Sequence, residues 1–429
     1  MASSSSAASA VCTATWEDLP SELVSSIASL LPLDGIVRMT AVCRFWAWSL
    51  GRHCPQIASP PPPPPPVALN NWSFPWLFIP SEYGECAGRA SFVHIPSRRF
   101  FCIHPLPDLV GRHCVGASPD GWIVTLTPSL QVRLLNPLTR ERIFLPRLLK
   151  RWISAGHHSL DRHYLIVRKI VLTPRLSCGG VAVALYHPMF FHWRGCISFA
   201  KQGDLEWTDE IAMAGAADMH TFSFEDAAYR EEDGKVYAVT NHGAVYAFDL
   251  KMWRCNEGPI ECAIFHPMIE FLTYRRRYVN YLVYIVSSNG NLFLIVRDFT
   301  SLEQMTLDFV ILKYQPYLSL EHQVFLPNGS WTLEKNLKDR SFFLGFNLST
   351  ALSANDVPDL RPNCIYFTEE FVPRDYGYAE HDLGVYDVGK RVVEKFFCNG
   401  SILKWQPPLW FMPCMSYFPW VKDGNRSKR

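Results

Sequence analysis

The chain has 429 residues, 48% hydrophobic and 19% charged, with 14 Trp, 17 Tyr and 28 Phe, a balance that excludes extensive disorder and supplies apolar side chains for two domains or one large β-rich one. Its 41 basic and 40 acidic residues leave a formal net charge of +1, so no global field recruits nucleic acid or an anionic membrane surface. Thirteen cysteines without a Cys-x-x-Cys pair, and an N-terminus without a basic region or a sustained apolar run, point to a reduced protein of the cytoplasm, the nucleus or both.

Residues 1–14 are rich in Ser and Ala and are expected to fray. In the stretch that follows, Leu23, Ile27, Leu30 and Leu31 fall at i, i+4, i+7 and i+8, the apolar stripe of a helix whose first turn tolerates Pro20 and favours Glu22. Pro32 ends that helix. Asp34 can cap a second one carrying Ile36, Val37 and Met39, after which Val42, Cys43, Phe45, Trp46 and Trp48 crowd a third short turn. Three helices in about 35 residues bury too little surface to be robust alone, so this unit needs a partner or a neighbouring domain. The unbroken prolines Pro60 to Pro66 then form a stiff polyproline II spacer on the order of 20 Å long, which marks a domain boundary.

From about Asn70 onward the pattern is one of strands. Runs at Trp122–Leu126, Val132–Leu135 and Ile143–Leu145 are separated by turn signals, and Val236–Val239 and Val245–Phe248 flank an Asn-His-Gly turn. In "YLVYIVSSNGNLFLIVRD", Asn289-Gly290 supplies the positive φ angles of a two-residue hairpin. Three strands end in an apolar pair followed by Asn136, Asp249 or Asp387, which suits an Asx-turn. Repeated antiparallel units escape exposed edges most simply by closing into a β-propeller, with a pair of large sandwiches as the alternative.

"DLPSELVSSIASLLPLDGIVRMTAVCRFW" closely resembles the F-box pattern through Leu19, Pro20, Glu22, Leu23, Ile27, Leu31, Pro32, Val42, Cys43 and Trp46. The resemblance implies binding to a Skp-family adaptor and, through it, to a cullin-RING scaffold. It places Leu19, Pro20, Leu23, Ile27, Leu31 and Pro32 on or beside the adaptor-facing side, and Val42, Cys43 and Trp46 between the helices. Gly35, where a better helix former is common, and Ala47, where the family often has Arg, are its departures. The strings "VRLLNPLTRERIFLP", "FEDAAYREEDGKVYAV", "LGVYDV" and above all "LRPNCIYF" resemble the C-terminal KIB-type β-propeller of a plant family of F-box proteins.

The resulting expectation is an α+β multidomain chain: residues 1–14 disordered, a three-helix F-box at 15–54, a proline-rich linker at 55–69, a β-propeller-like recognition domain at 70–415 and a tail at 416–429. Its expected role is that of a non-catalytic substrate-recognition subunit of an SCF-type ubiquitin ligase, or alternatively of an interaction protein working outside ubiquitination. The sequence holds no Gly-rich phosphate loop, no Gly-x-Ser-x-Gly and no His-Glu-x-x-His. Cys102, His104, His113 and Cys114 match no familiar zinc spacing, His157, His158 and His163 are expected in a solvated loop, and Glu231-Glu232-Asp233 precede Gly234 in a turn. No cofactor, metal, nucleic acid or membrane partner is expected.

Overall fold

The computed structural model describes residues 19, 23, 24, 26, 27, 74–81, 87–103, 105–138, 140–148, 165–174, 180–188, 196–211, 223–250, 262–265, 280–299, 305–315, 330–368, 382–396 and 408–413. All the described strands fall in one compact unit, Trp72–Cys414. They form six successive sheets, the blades of a propeller.

Blade one holds β1 (Trp76–Ser81), β2 (Arg89–His94) and β3 (Arg99–Ile103). Blade two holds β4 (His113–Ala117), β5 (Ile123–Leu126), β6 (Gln131–Leu135) and β7 (Arg142–Arg147). Blade three holds β8 (Leu165–Leu172), β9 (Ala182–Pro188), β10 (Cys196–Ala200) and β11 (Thr208–Ile211). Blade four holds β12 (Phe224–Arg230), β13 (Lys235–Thr240), β14 (Val245–Asp249) and β15 (Cys262–Phe265). Blade five holds β16 (Asn280–Ser288), β17 (Asn291–Phe299), β18 (Thr306–Gln315) and β19 (Ser330–Glu334).

Blade six departs from this pattern. Its members are β20 (Arg340–Leu344), β21 (Ser349–Ser353), β22 (Cys364–Phe367), β23 (Gly384–Asp387) and β24 (Val392–Lys395). They lie in the order β21-β20-β22-β23-β24, with β20 and β22 parallel. Finally β25 (Leu409–Phe411) pairs antiparallel with β1 and completes blade one, so the two ends of the β region share a sheet. A ring closed in this way leaves only short outer edges open to further pairing.

Local chemistry accounts for the turns. Asn289 and Gly290 have φ of 48° and 70° and join Ser288 to its partner Asn291, the two-residue hairpin expected for that dipeptide. Asn136 Oδ1 accepts a hydrogen bond from the Leu138 amide at 3.0 Å, and Asp387 Oδ1 one from the Lys390 amide at 3.0 Å. Asp249 lies 3.9 Å from Lys235 Nζ across the β13–β14 pair, and residues 251 and 252, which an Asx-turn there would engage, lie outside the described residues.

The core lies between blades rather than in one layer. Val183, Ile197 and Phe199 of blade three pack with Phe224, Val236 and Phe248 of blade four. Ile285 and Leu294 of blade five meet Tyr237 and Val245 of blade four. Phe309 and Ile295 meet Phe342, Ile365 and Phe367 of blade six. Around Trp410, side chains of blades six, one and two converge, among them Phe343, Tyr366, Leu77 and Ala117.

This architecture corrects the expected class. Among the described residues the fold is all-β, and an α+β chain with an N-terminal three-helix F-box is not what the structure shows. Every described layer that buries apolar surface is sheet. The described helical conformation is confined to a 3-10 turn at Pro107–Leu109, to Leu23, Val24, Ser26 and Ile27, and to Leu250 after β14. The second and third expected helices, the linker at 55–69 and the tail at 416–429 lie outside the described residues.

Candidate functional site

Two regions of this chain combine chemistry with access. The first is at the N-terminus, where Leu23 and Ile27 have helical backbone and stand one turn apart. Their side chains are 50% and 40% exposed, whereas Val24 between them is buried. Residues four apart on a helix share a face, so two large aliphatic groups are presented together. Leu19 sits in a bend and is half-buried. Pro20, Leu31, Pro32, Val42, Cys43 and Trp46 lie outside the described residues.

The second region is the centre of the propeller. The strands β4, β8, β12, β16 and β21 are blade edges that pack successively against one another, which makes them the inner wall. Three of them carry a bulge: the register slips between Cys114 and Gly116, between Val167 and Lys169, and between Phe224 and Asp226. A bulge adds one residue and re-aims the side chains around it. Consecutive residues of β8 therefore both reach β12. Arg168 Nε lies 3.0 Å from Glu225 Oε2, and Lys169 Nζ lies 2.6 Å from Asp226 Oδ1.

Lys169 and Asp226 are 2% and 0% exposed. Burying such charges is costly unless they are paired and hydrogen-bonded, and both conditions hold. Lys169 Nζ also donates to Ser349 Oγ of blade six at 3.1 Å. Asp226 Oδ1 accepts from the Ala227 amide at 2.8 Å, and its Oδ2 from the Ile285 amide of blade five at 3.2 Å. One ion pair thus bolts blades three, four, five and six together on the propeller's axis.

Two residues further along β8, at Val171, a hollow of about 140 Å3 opens. Its walls come from Ala117 and Pro119 of blade two, Val171 and Leu172 of blade three, Ala227 and Ala228 of blade four, Ser287 of blade five and Leu348–Thr350 of blade six. Glu231 is the one charged residue among those that line it. The other two acids of that turn are engaged by Arg230, which lies 2.6 Å from Asp233 and 3.6 Å from Glu232 and also donates to the Gly290 carbonyl at 2.9 Å. Tyr237 donates to Asp233 at 2.7 Å, and burial, together with that carboxylate, pushes its phenol well above the ordinary range.

The remaining residues singled out from sequence fall elsewhere. Cys102 is exposed on β3 and contacts Ser91 Oγ at 3.8 Å, whereas Cys114 is buried on β4 of the next blade. His104, His157, His158 and His163 lie outside the described residues, and no metal-holding group of His, Cys, Asp and Glu occurs among the described ones. "LRPNCIYF" is a hub of blade six: Asn363, with φ of 57°, accepts from the Leu337 amide at 2.7 Å, and Arg361 grips Glu394 at 2.6 and 3.1 Å. Lys169 and Asp226 escaped sequence reasoning, although a lysine inside "LIVRKIVL" and an aspartate inside "FEDAA" are the charged residues in apolar strands that would have signalled them.

A family model described as KIB1-4 beta-propeller matches residues 92–387. The chain is 23% identical over 429 residues to F-box protein At2g05970 of Arabidopsis thaliana, covering 95% of this chain and 98% of that one. It is 24% identical over 369 residues to F-box protein KIB3 of the same plant, covering 81% and 74%. F-box/kelch-repeat protein At3g18720 of Arabidopsis thaliana is 28% identical over 138 residues, covering 31% and 32%. With six blades in place and the family pattern running from β2 to β23, the chain belongs to the KIB1-4 β-propeller family, alongside plant F-box proteins.

Proposed function

We propose that the protein is the substrate-recognition subunit of an SCF-type ubiquitin ligase acting in the cytoplasm, the nucleus or both. Its N-terminal F-box motif binds a Skp-family adaptor and through it a cullin-RING scaffold, and the propeller binds a protein substrate. The observation that carries this reading is the exposed pair Leu23 and Ile27, two motif positions whose aliphatic groups face outward together. Burying one such side chain at an interface stabilises it by about 1.5–3 kcal/mol. The F-box resemblance assigns Leu19, Pro20, Leu31 and Pro32 to the same adaptor-facing side and Val42, Cys43 and Trp46 to the motif's interior.

The chain supplies no catalytic group in this reading. Its contribution is proximity, since holding a substrate lysine beside a conjugated ubiquitin replaces a bimolecular encounter with a local one. The test is a titration of the full-length protein against a plant Skp-family adaptor, with Leu23→Asp/Ile27→Asp and Leu19→Ala/Pro20→Ala as variants. Loss of at least tenfold in affinity in the first variant, about 1.4 kcal/mol, is the expected result. Unchanged binding by both variants removes the adaptor assignment, and adaptor binding without ubiquitination of a trapped partner in the reconstituted complex favours a role outside ubiquitination.

A further inference from the structure

We propose that the axial hollow takes a single aliphatic side chain from an extended segment of the protein substrate, and that a Lys or Arg two residues along that segment pairs with Glu231. This deepens the substrate-receptor reading and rests on it for the partner's being a protein.

Size comes first. The hollow holds about 140 Å3, well under the roughly 300–1,000 Å3 of sites that enclose drug-sized ligands, so a whole metabolite does not fit but one side chain does. The Lys169–Asp226 pair adjoins the hollow, since Lys169 donates to Ser349 of its wall. Apolar atoms make up the larger part of the lining, around Val171, Leu172, Ala227, Ala228 and Leu348, which favours an aliphatic group over a polar one.

The rim supplies direction. Ser287 and Thr350 line the hollow with hydroxyls that are not committed to other described residues, and they can meet the backbone of an incoming segment. Glu231 is exposed and has no ion-pair partner among the described residues, while Glu232 and Asp233 are held by Arg230, so its carboxylate is available to a cation. On an extended segment, side chains two residues apart point the same way about 7 Å apart, which brings an aliphatic group and a cation to one face together.

The experiment uses the full-length protein with methyl-labelled alanine and reads the Ala227 and Ala228 resonances. The probes are the blocked pentapeptides Ala-Leu-Ala-Lys-Ala, Ala-Leu-Ala-Glu-Ala and Ala-Asp-Ala-Lys-Ala. The first should shift both resonances saturably, the third should leave them in place, and the second should bind more weakly by roughly twofold to fivefold, the range of an exposed ion pair. Glu231→Lys should reverse the preference between the first two. Unshifted Ala227 and Ala228 resonances, or a charge preference that Glu231→Lys leaves as it was, overturn the proposal. Adaptor binding is titrated on the same sample, so a failed pocket with an intact adaptor interface is told apart from a failed receptor assignment.

Discussion

Gly116 sets how closely blades two and three approach. A Cβ built there would lie 2.0 Å from the Ile170 carbonyl oxygen and 3.0 Å from Val124 Cγ2, and the first of these is backbone that cannot rotate away. Gly116→Ala should therefore cost at least the roughly 1–3 kcal/mol typical of an overpacked core, seen as a lower midpoint in urea with an unchanged slope. His94 acts through its charge. Its ring lies against Phe74 and Trp76, with centroids 5.6 and 4.8 Å away, and Nδ1 is 2.7 Å from Ser97 Oγ. Burial lowers its pKa below the ordinary 6.5, with Asp359 opposing and Arg99 assisting. The unfolded chain thus takes up a proton that the folded one resists. The resulting stability is complete above pH 6.5 and is lost as the pH falls towards the depressed folded value. Melting temperature should fall with acidification through that window, and His94→Gln should flatten the slope.

At the scale of elements, the bulged inner strands explain how a propeller axis can carry ions. Removing one member of the Lys169–Asp226 pair leaves the other buried alone. Lys169→Met and Asp226→Leu should each cost about 3–5 kcal/mol, whereas the double variant should recover much of the loss. A denaturation cycle over the four proteins measures the coupling, and additive losses would show that the pair does not act as a unit. Its two members stand out as charges in apolar strands, but their pairing was illegible in the sequence for a physical reason. A bulge is a property of two strands in register, and "LIVRKIVL" alone does not say which neighbour its lysine meets. The hairpin at Asn289-Gly290 was legible because the dipeptide itself permits positive φ at both positions. Blade six lies between these cases. "RSFFL" and "CIYF" read as buried strands, but their parallel pairing depends on "STALS", a weakly patterned segment that becomes the inner edge. At the N-terminus the aliphatic spacing announced Leu23 and Ile27, yet the all-β class follows from the mass of sheet that outweighs any helix among the described residues.

For the propeller as a whole, stability depends on closing the ring, because each blade buries its face only against a neighbour. Most blade junctions carry a specific tie as well as apolar packing. Trp207 Nε1 of blade three donates to the Pro146 carbonyl of blade two at 2.7 Å, and Tyr281 of blade five donates to the Asn241 carbonyl of blade four at 3.2 Å. Buried Arg297 of blade five meets Asp382 beside blade six at 2.8 Å. The final junction rests on three residues of β25. Trp410 is fully buried, its indole donates to the Leu344 carbonyl at 2.9 Å, and Asn347 clamps its backbone from both sides at 2.7 and 3.1 Å. Trp410→Ala should cost about 3–5 kcal/mol for the lost side chain alone. Ending the chain at residue 408 should cost more, because it also strips β1 of its inner partner and exposes the aromatic cluster around Phe343 and Tyr366. If the ring is one cooperative unit, both changes lower a single unfolding transition. If blades two to five melt unchanged while a second, earlier transition appears, closure by β25 stabilises only its own blade.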